Sequence, residues 1–135
     1  MSSPKFTLEV VTPGGVVFKH EVISLRAPGF SGQFGVLAHH APMLTALNVG
    51  FIEAKDESET YYLAMSGGFS EVLPHKTIIL AQTAELKEKI DVERAHAALE
   101  RARKRLSERK PETDFERAQL ALIRALNRLK VAELN

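Results

Sequence analysis

Two apolar stripes of equal spacing run through the last third of this chain, and they constrain its fold more than any other feature. One begins at Val92 and the other at Phe115, and in both the steps alternate between three and four residues. Such steps place each set on one face of a helix and are typical of helices that pack nearly parallel or antiparallel. The sets are Val92, Ala95, Leu99, Ala102 and Leu106, then Phe115, Ala118, Leu122, Ala125, Leu129 and Ala132.

The ends of both helices can be predicted as well. Asp91 is well placed as the N-cap of the first helix, which should run to about Glu108 before a proline prevents its continuation. Thr113 and Glu116 match a capping box, which opens a second helix that ends near Glu133. A connection of about five residues permits only an antiparallel return. The sequence therefore predicts a helical hairpin.

The residues before Ala84 follow a different period. Apolar and polar side chains alternate in about ten short segments, a pattern typical of half-buried strands. Turn signals such as Pro13-Gly14-Gly15 and Gly67-Gly68 separate the segments. Many short strands predict an antiparallel sandwich or barrel. The predicted fold class is β followed by α, with a β domain over residues 1–84 and a helical hairpin over residues 85–135.

Composition limits the function classes further. The chain has 135 residues, 44% of them hydrophobic, and no cysteine, so disulfides and thiolate metal sites are excluded. Its longest apolar runs fall far short of the roughly 20 residues that span a bilayer, and the N-terminus lacks the layout of a secretion signal. Membrane association is therefore expected only through a partner.

Charge is divided unevenly along the chain. Residues 1–86 carry 5 basic and 8 acidic side chains, whereas residues 87–135 carry 13 basic and 9 acidic ones. Between Glu116 and Glu133 every charge is positive. These cations are Arg117, Arg124, Arg128 and Lys130. They form either a solvated basic face or a surface that binds an external anion, such as an acidic protein or phosphate.

The alternation of alanine with leucine in both stripes predicts a weakly held hairpin. Each leucine buried in the seam contributes about 1.5–3 kcal/mol, and each alanine much less. Ordering the backbone costs on the order of 1–2 kcal/mol for each residue. Because these opposing terms nearly balance, we expect the hairpin to open or re-dock at modest cost.

Three motifs resemble the epsilon subunit of F-type ATP synthases, in the order and spacing of that family. GQFGVLAHHAP at residues 32–42 is similar to a loop of the family, although the family usually has Pro-Gly where Ala38-His39 stand here. SGGFSEV at residues 66–72 is similar to its glycine-pair strand, and IDVERA at residues 90–95 to the start of its first C-terminal helix. The resemblance covers nearly the whole chain.

The resemblance implies a non-catalytic rotor component with a β-sandwich. The sandwich would sit against the gamma subunit and the membrane-embedded c ring, with the segment Ser31–Pro42 facing both. The hairpin would either fold onto the sandwich or extend into the catalytic alpha/beta head and inhibit ATP hydrolysis. The location implied is the cytoplasmic face of the bacterial membrane, reached only through the complex.

Some bacterial members of the family bind ATP in the folded hairpin without hydrolysing it. The matching positions here are Glu85, Ile90, Asp91, Arg94, Ala95, Arg101, Arg124 and Arg128. Arg94 and Arg101 lie seven residues apart on one helix face, and a guanidinium binds two phosphate oxygens at once. ATP would then favour the folded pose. In the family the extended hairpin runs near an acidic segment of the beta subunit, so the cations of the second helix would serve either ATP or beta.

Other chemistries lack support in the sequence. No G-x-x-x-x-G-K-[ST] run and no serine in a nucleophile elbow are present. His39 and His40 are adjacent, so on extended backbone they point to opposite faces and no metal site is expected. The basic helices lack interleaved aromatic residues, which argues against nucleic-acid binding. The alternative to the rotor subunit is a stand-alone β-sandwich adaptor whose hairpin docks another coiled coil.

Overall fold

Eight β-strands followed by two α-helices make up the computed structural model, which describes residues 3–135. The strands are β1 (Phe6–Thr12), β2 (Gly15–Val22), β3 (Ser24–Gly29), β4 (Gly32–Leu37), β5 (Met43–Lys55), β6 (Thr60–Val72), β7 (Lys76–Ala81) and β8 (Ala84–Leu86). A short 3₁₀ turn, Lys87–Lys89, leads to α1 (Val92–Glu108) and α2 (Phe115–Ala132). The predicted fold class is confirmed, except that β1 and β7 pair in parallel within the otherwise antiparallel sheet.

The strands form one hydrogen-bonded sheet that bends into two layers. Its order is β2-β1-β7-β6-β5-β3-β4, and β8 pairs with β6 beside β7. The second half of β6 pairs with β7, whereas its first half pairs with β8. Because β5 and β6 run through both layers, they join the two halves of the sandwich.

The core lies between these layers. Phe6, Leu8 and Val10 of β1 are buried with Ile52 of β5 and Leu63 of β6, and all five are at most 1% exposed. Alternate side chains point inward, as the period-two pattern predicts. Large side chains therefore stabilise the sandwich.

The number of strands differs from the expectation of about ten. Two pairs of predicted segments each form one long strand, β5 and β6. These two strands pair along their length, from Met43 opposite Val72 to Lys55 opposite Thr60. The glycine pair lies inside β6 and bends it: Gly67 and Gly68 have φ of 90° and 151°. A Cβ on Gly68 would lie 1.9 Å from the Leu80 carbonyl oxygen. Glycine therefore permits a close backbone approach here and does not end the strand.

Both helices begin at an aspartate. Asp91 caps α1 by accepting a hydrogen bond from the Arg94 N–H at 3.0 Å, as predicted. Asp114 caps α2 in the same way, accepting from the Arg117 N–H at 3.1 Å. The predicted capping box with Thr113 as N-cap is therefore wrong by one residue. Both starts share the pattern Asp-x-Glu-Arg, whose carboxylate is a strong N-cap and favours the positive end of the helix dipole.

The hairpin seam is confirmed in its middle and wrong at its ends. Ala95, Leu99, Ala102, Ala118 and Ala125 are buried. Val92 and Phe115, however, are 43% and 41% exposed. Each is the first residue of its helix and lies level with the end of the antiparallel partner, so the partner covers only one side.

Helix α2 makes most of the contact with the sandwich. A small apolar cluster joins them, in which only Ala64, Ile90 and Val131 are buried, and it is separate from the main core. Val131 is fully buried but lies outside the predicted stripe, because it faces the sheet and not α1. The apolar seam between hairpin and sandwich is thus short.

Candidate functional site

A groove of about 350 Å³ opens where the sandwich meets the hairpin. Its lining comes from β8, the segment before α1, the first half of α1 and one turn of α2. The lining residues are Glu85, Lys89, Asp91, Arg94, Ala95, Ala98, Arg101 and Arg128. The volume lies in the range of small-molecule sites, about 300–1,000 Å³. No single domain forms this groove alone.

The first helix supplies the floor of the groove. Arg94, Ala98 and Arg101 stand at i, i+4 and i+7 and so share one face of α1. The small side chains of Ala95 and Ala98 leave space between the two guanidinium-bearing chains. The Asp91 cap fixes where α1 begins and therefore where Arg94 stands.

One ion pair crosses the groove from the sheet to α2. Arg128 Nε donates to Glu85 Oε1 at 2.5 Å, and both side chains are about one-third exposed, at 31% and 33%. Within residues 3–135, Lys89, Arg94 and Arg101 make no ion pair. Because Asp91 caps a helix and Glu85 pairs with Arg128, these three cations remain available to an anion.

The structure brings six of the eight sequence-predicted residues together. Glu85, Asp91, Arg94, Ala95, Arg101 and Arg128 line the groove. Ile90 does not: it is 9% exposed and packs in the small apolar cluster under α2. Arg124 does not line it either, since its side chain lies in a neighbouring hollow between α2 and the sheet.

Two groove residues were missing from the sequence prediction. Ala98 has a visible signal, because it lies midway between Arg94 and Arg101 on the same helix face. Lys89 has none, since it lies in the 3₁₀ turn before α1, where no periodicity applies. Only the fold shows that this lysine faces the groove.

The neighbouring hollow is small and polar. It has a volume of about 10 Å³ and is lined by Ala64, Met65, Ser66, Thr83, Arg124, Asn127 and Arg128. Among the described residues, Arg124 Nε is buried without a hydrogen-bond partner. This volume is enough for a single water. Arg128 lines both spaces and so forms the wall between them.

A polar cluster links β2 to the tip of the β5–β6 hairpin. Asp56 Oδ2 lies 2.8 Å from His20 Nε2 and accepts from the Tyr61 hydroxyl at 3.2 Å. The backbone N–H groups of Ser58 and Glu59 donate to Asp56 and, with His20, hold the pKa of its carboxyl well below the ordinary value. The Tyr61 hydroxyl donates to Glu59, which raises the pKa of the phenol. This cluster is structural.

The loop between β4 and β5 contains a strained residue. His39 has φ of 67°, a left-handed conformation that is uncommon outside glycine. Its N–H donates to the Pro74 carbonyl at 2.7 Å, and its ring meets the His75 ring edge-on at 5.2 Å. These contacts to the β6–β7 turn hold His39 in that conformation.

An apolar row crosses the outer face of the layer that contains β1, β2 and β7. Cross-strand pairing aligns Ala46, Phe69, Leu80, Val11 and Val16 on neighbouring strands. Phe69, Leu80 and Val16 are each more than half exposed. Exposed apolar rows of this kind mark surfaces for protein interaction.

Residues 3–135 contain neither a cluster of metal ligands nor a membrane-spanning helix. No group of three potential His, Cys, Asp or Glu ligands comes together there. Neither helix of this part of the chain has the length and apolar content needed to cross a membrane.

Comparison with known families assigns both parts of the chain to one class. Residues 5–87 match the ATP synthase delta/epsilon chain β-sandwich domain. Residues 88–133 match the ATP synthase delta/epsilon chain long α-helix domain. Fold and matches together define a delta/epsilon-type subunit of ATP synthase.

Individual relatives narrow this class. The chain is 52% identical to the ATP synthase epsilon chain of Carboxydothermus hydrogenoformans over 105 residues. This alignment covers 78% of each of the two chains. It is 48% identical over 109 residues to that of Pelotomaculum thermopropionicum, with 81% of each covered. The chain belongs to the ATP synthase delta/epsilon family, on its epsilon branch, so the sequence-based identification is confirmed.

Solved structures agree with the assignment. A chain in the cryo-EM structure of the Euglena gracilis mitochondrial ATP synthase OSCP/F1/c-ring superposes with a TM-score of 0.76 at 25% identity, covering 91% of this chain and 79% of that one. A chain of the Tetrahymena thermophila mitochondrial ATP synthase central stalk and c ring shares the fold, with a TM-score of 0.55 at 13% identity over 67% and 73% of the two chains.

Proposed function

We propose that this chain couples the gamma subunit to the c ring in a bacterial ATP synthase and that its hairpin is a nucleotide-controlled brake on ATP hydrolysis. The observation that carries the proposal is the groove shared by sandwich and hairpin. A ligand bound there contacts β8, α1 and α2 together and so stabilises the folded pose. In the extended pose the groove does not exist.

The charges of the groove fit the triphosphate of ATP. Lys89, Arg94 and Arg101 offer three cations that are free of internal partners among the described residues, and Arg128 adds a fourth. Arginine forks bind phosphate oxygens two at a time. The acceptors Glu85 and Asp91 line the same groove and suit the donors of a base and ribose.

The groove is proposed to bind ATP without hydrolysing it. Hydrolysis requires a base that orients a water. Asp91 is engaged by the backbone of α1, and Glu85 is paired with Arg128. Neither carboxylate is placed to activate a water, so ATP acts as a regulatory ligand.

The energetics suit a sensor. A ligand that binds only the folded pose stabilises it by about 2.7 kcal/mol at 100 times its dissociation constant. The short apolar seam between hairpin and sandwich leaves the two poses close in free energy, so a shift of this size decides between them. Loss of ATP would release the helices into the alpha/beta head, where they inhibit.

The basic side chains of α2 make the two poses mutually exclusive. In the folded pose Arg128 lines the groove, and Arg124 lines the hollow beside it. In the extended pose these two, with Arg117 and Lys130, would face the acidic segment of the beta subunit. Reversing the charge of Arg124 and Arg128 together should weaken both ATP binding and inhibition, and loss of only one effect would contradict shared use.

The rotor contacts are assigned to the sandwich. The apolar row through Phe69 and Leu80 is proposed to dock on gamma, and the loop with His39 to face the c ring. The chain would then lie at the cytoplasmic face of the membrane only through the complex. Leu80→Lys should abolish copurification with gamma, whereas Thr60→Lys, at the tip of the β5–β6 hairpin, should not. Retention of gamma by Leu80→Lys would favour the stand-alone adaptor.

Calorimetric titration of the full chain with ATP tests the sensor. The wild type should bind one ATP saturably below millimolar concentration, and Arg94→Ala with Arg101→Ala should lose binding. Arg103→Ala is the matched control, because Arg103 pairs with Glu100 on the outer side of α1. Absence of saturable binding by the wild type would remove the sensor role.

A further inference from the structure

The contact between α2 and the sandwich includes a side chain that hydrogen-bonds to the backbone of the sheet. Asn127 Nδ2 donates to the Gly50 carbonyl at 2.8 Å and lies 3.4 Å from the Met65 carbonyl. Gly50 and Met65 are cross-strand partners on β5 and β6. A single amide group therefore contacts both strands that run through the two layers.

The acceptor strands are fixed at this point. A Cβ on Gly50 would lie 2.6 Å from Pro28 Cβ, so β5 packs closely against β3 here. The pair stands next to the bend of β6 at Gly67, where the Asn48–Gly67 pairing of the ladder is missing. The Asn127 amide thus meets carbonyls whose position the sandwich determines without the hairpin.

The surroundings of Asn127 are polar, in contrast to an ordinary helix–sheet seam. Arg124 Nε is buried one turn earlier in the water-sized hollow, and Ser66 and Thr83 exchange hydrogen bonds on its far wall. Apolar packing has no direction along the helix axis, whereas an amide donor aimed at one carbonyl pair does. The polar contact selects one register of α2 on the sheet.

We propose that Asn127 is the latch of the folded pose: a positioning residue, outside the groove, whose amide donors lock α2 in the register that brings Arg128 opposite Glu85. Asn127 does not line the groove, so it acts on nucleotide binding only through the pose of α2. The proposal rests on the proposed function for its regulatory meaning. The latch itself is a property of the free chain.

The test exchanges the donor for an acceptor at constant shape. In Asn127→Asp a carboxylate faces two carbonyls, so the hydrogen bonds are lost and repulsion is added. Hydrogen exchange of the full chain without nucleotide should be at least tenfold faster across α2 than in the wild type, with β5 and β6 unchanged. Asn127→Ala, which leaves both carbonyls to water, should give a smaller increase.

The control is Gln119→Glu, which makes the same amide-to-carboxylate change on an exposed position of α2. It should leave exchange unchanged. Wild-type protection of α2 in Asn127→Asp would overturn the latch, as would equal acceleration by Gln119→Glu. Because no nucleotide is present, this failure is distinct from failure of the ATP site. If the latch holds, Asn127→Asp should also weaken ATP binding about tenfold while every groove side chain is retained.

Discussion

The two regions of this molecule are stabilised in different ways. The sandwich buries large side chains of both layers, and several of them are wholly inaccessible. The hairpin buries chiefly alanines along its seam, and it meets the sandwich through a short apolar cluster, one ion pair and the Asn127 amide. Packing density fixes the first region, whereas a few directional contacts fix the second. Such a difference suits a rigid rotor element that carries a movable arm.

Truncation of a core side chain should give the largest effect. Leu63 is wholly buried in the sandwich, so Leu63→Ala should lower the free energy of unfolding by about 2–5 kcal/mol. Leu106→Ala, on the partly covered end of the hairpin seam, should have little effect on unfolding of the sandwich. Urea denaturation followed on the sandwich measures both. Equal losses would show that the two regions unfold as one unit.

Filling the groove should have the next largest effect, on nucleotide binding only. Ala98→Leu places a branched side chain between Arg94 and Arg101 and should weaken ATP binding at least tenfold. Ala97→Leu is the matched control, because Ala97 is exposed and does not line the groove. Calorimetry on both variants checks this. Unchanged affinity in Ala98→Leu would place the nucleotide elsewhere.

Substitutions at the start of α2 should have a smaller effect on stability, and they show whether Asp114 or Thr113 is the N-cap. Asp114→Ala should destabilise the first turn by about 0.5–2 kcal/mol, because the Arg117 N–H loses its acceptor. Thr113→Ala should change little. Amide hydrogen exchange at residues 115–118 measures the difference. Faster exchange in Thr113→Ala than in Asp114→Ala would show that Thr113 is the N-cap after all.

The smallest effect should depend on pH and appear only in the sandwich. The pKa of Asp56 is lowered in the folded state, so its ionised form stabilises the fold above the unfolded pKa of about 3.9. This contribution should be present at neutral pH and decline as pH falls below 3.9. Asp56→Asn should therefore be less stable than the wild type at pH 7, with a gap that narrows in acid. A gap that widens in acid would contradict the assigned cause.

Local sequence signals predicted the elements but not every contact between them. Both helices and most strands follow from periodicity, and the Asp91 cap from a single residue. The continuity of β6 was missed because Gly67 and Gly68 read as a turn, and only the close approach of Leu80 shows why glycine stands there. A bend and a turn require the same residue type.

The residues of the candidate site also fall into those that local sequence signals predict and those that only tertiary contacts reveal. The resemblance placed six residues that the fold does bring together, and helix spacing was enough for those on α1. Lys89, Val131 and Asn127 depend on how α2 and the 3₁₀ turn lie against the sheet. A tertiary contact of this kind leaves no periodic trace in the sequence.

Native-state hydrogen exchange of the full chain, with and without ATP, tests the central claim most directly. Without nucleotide, α1 and α2 should exchange far faster than β5 and β6, because the hairpin opens without unfolding of the sandwich. ATP at 100 times its dissociation constant should slow hairpin exchange about 100-fold and leave the sandwich unchanged. Helices that exchange as slowly as the sandwich, with or without ATP, would contradict a movable arm.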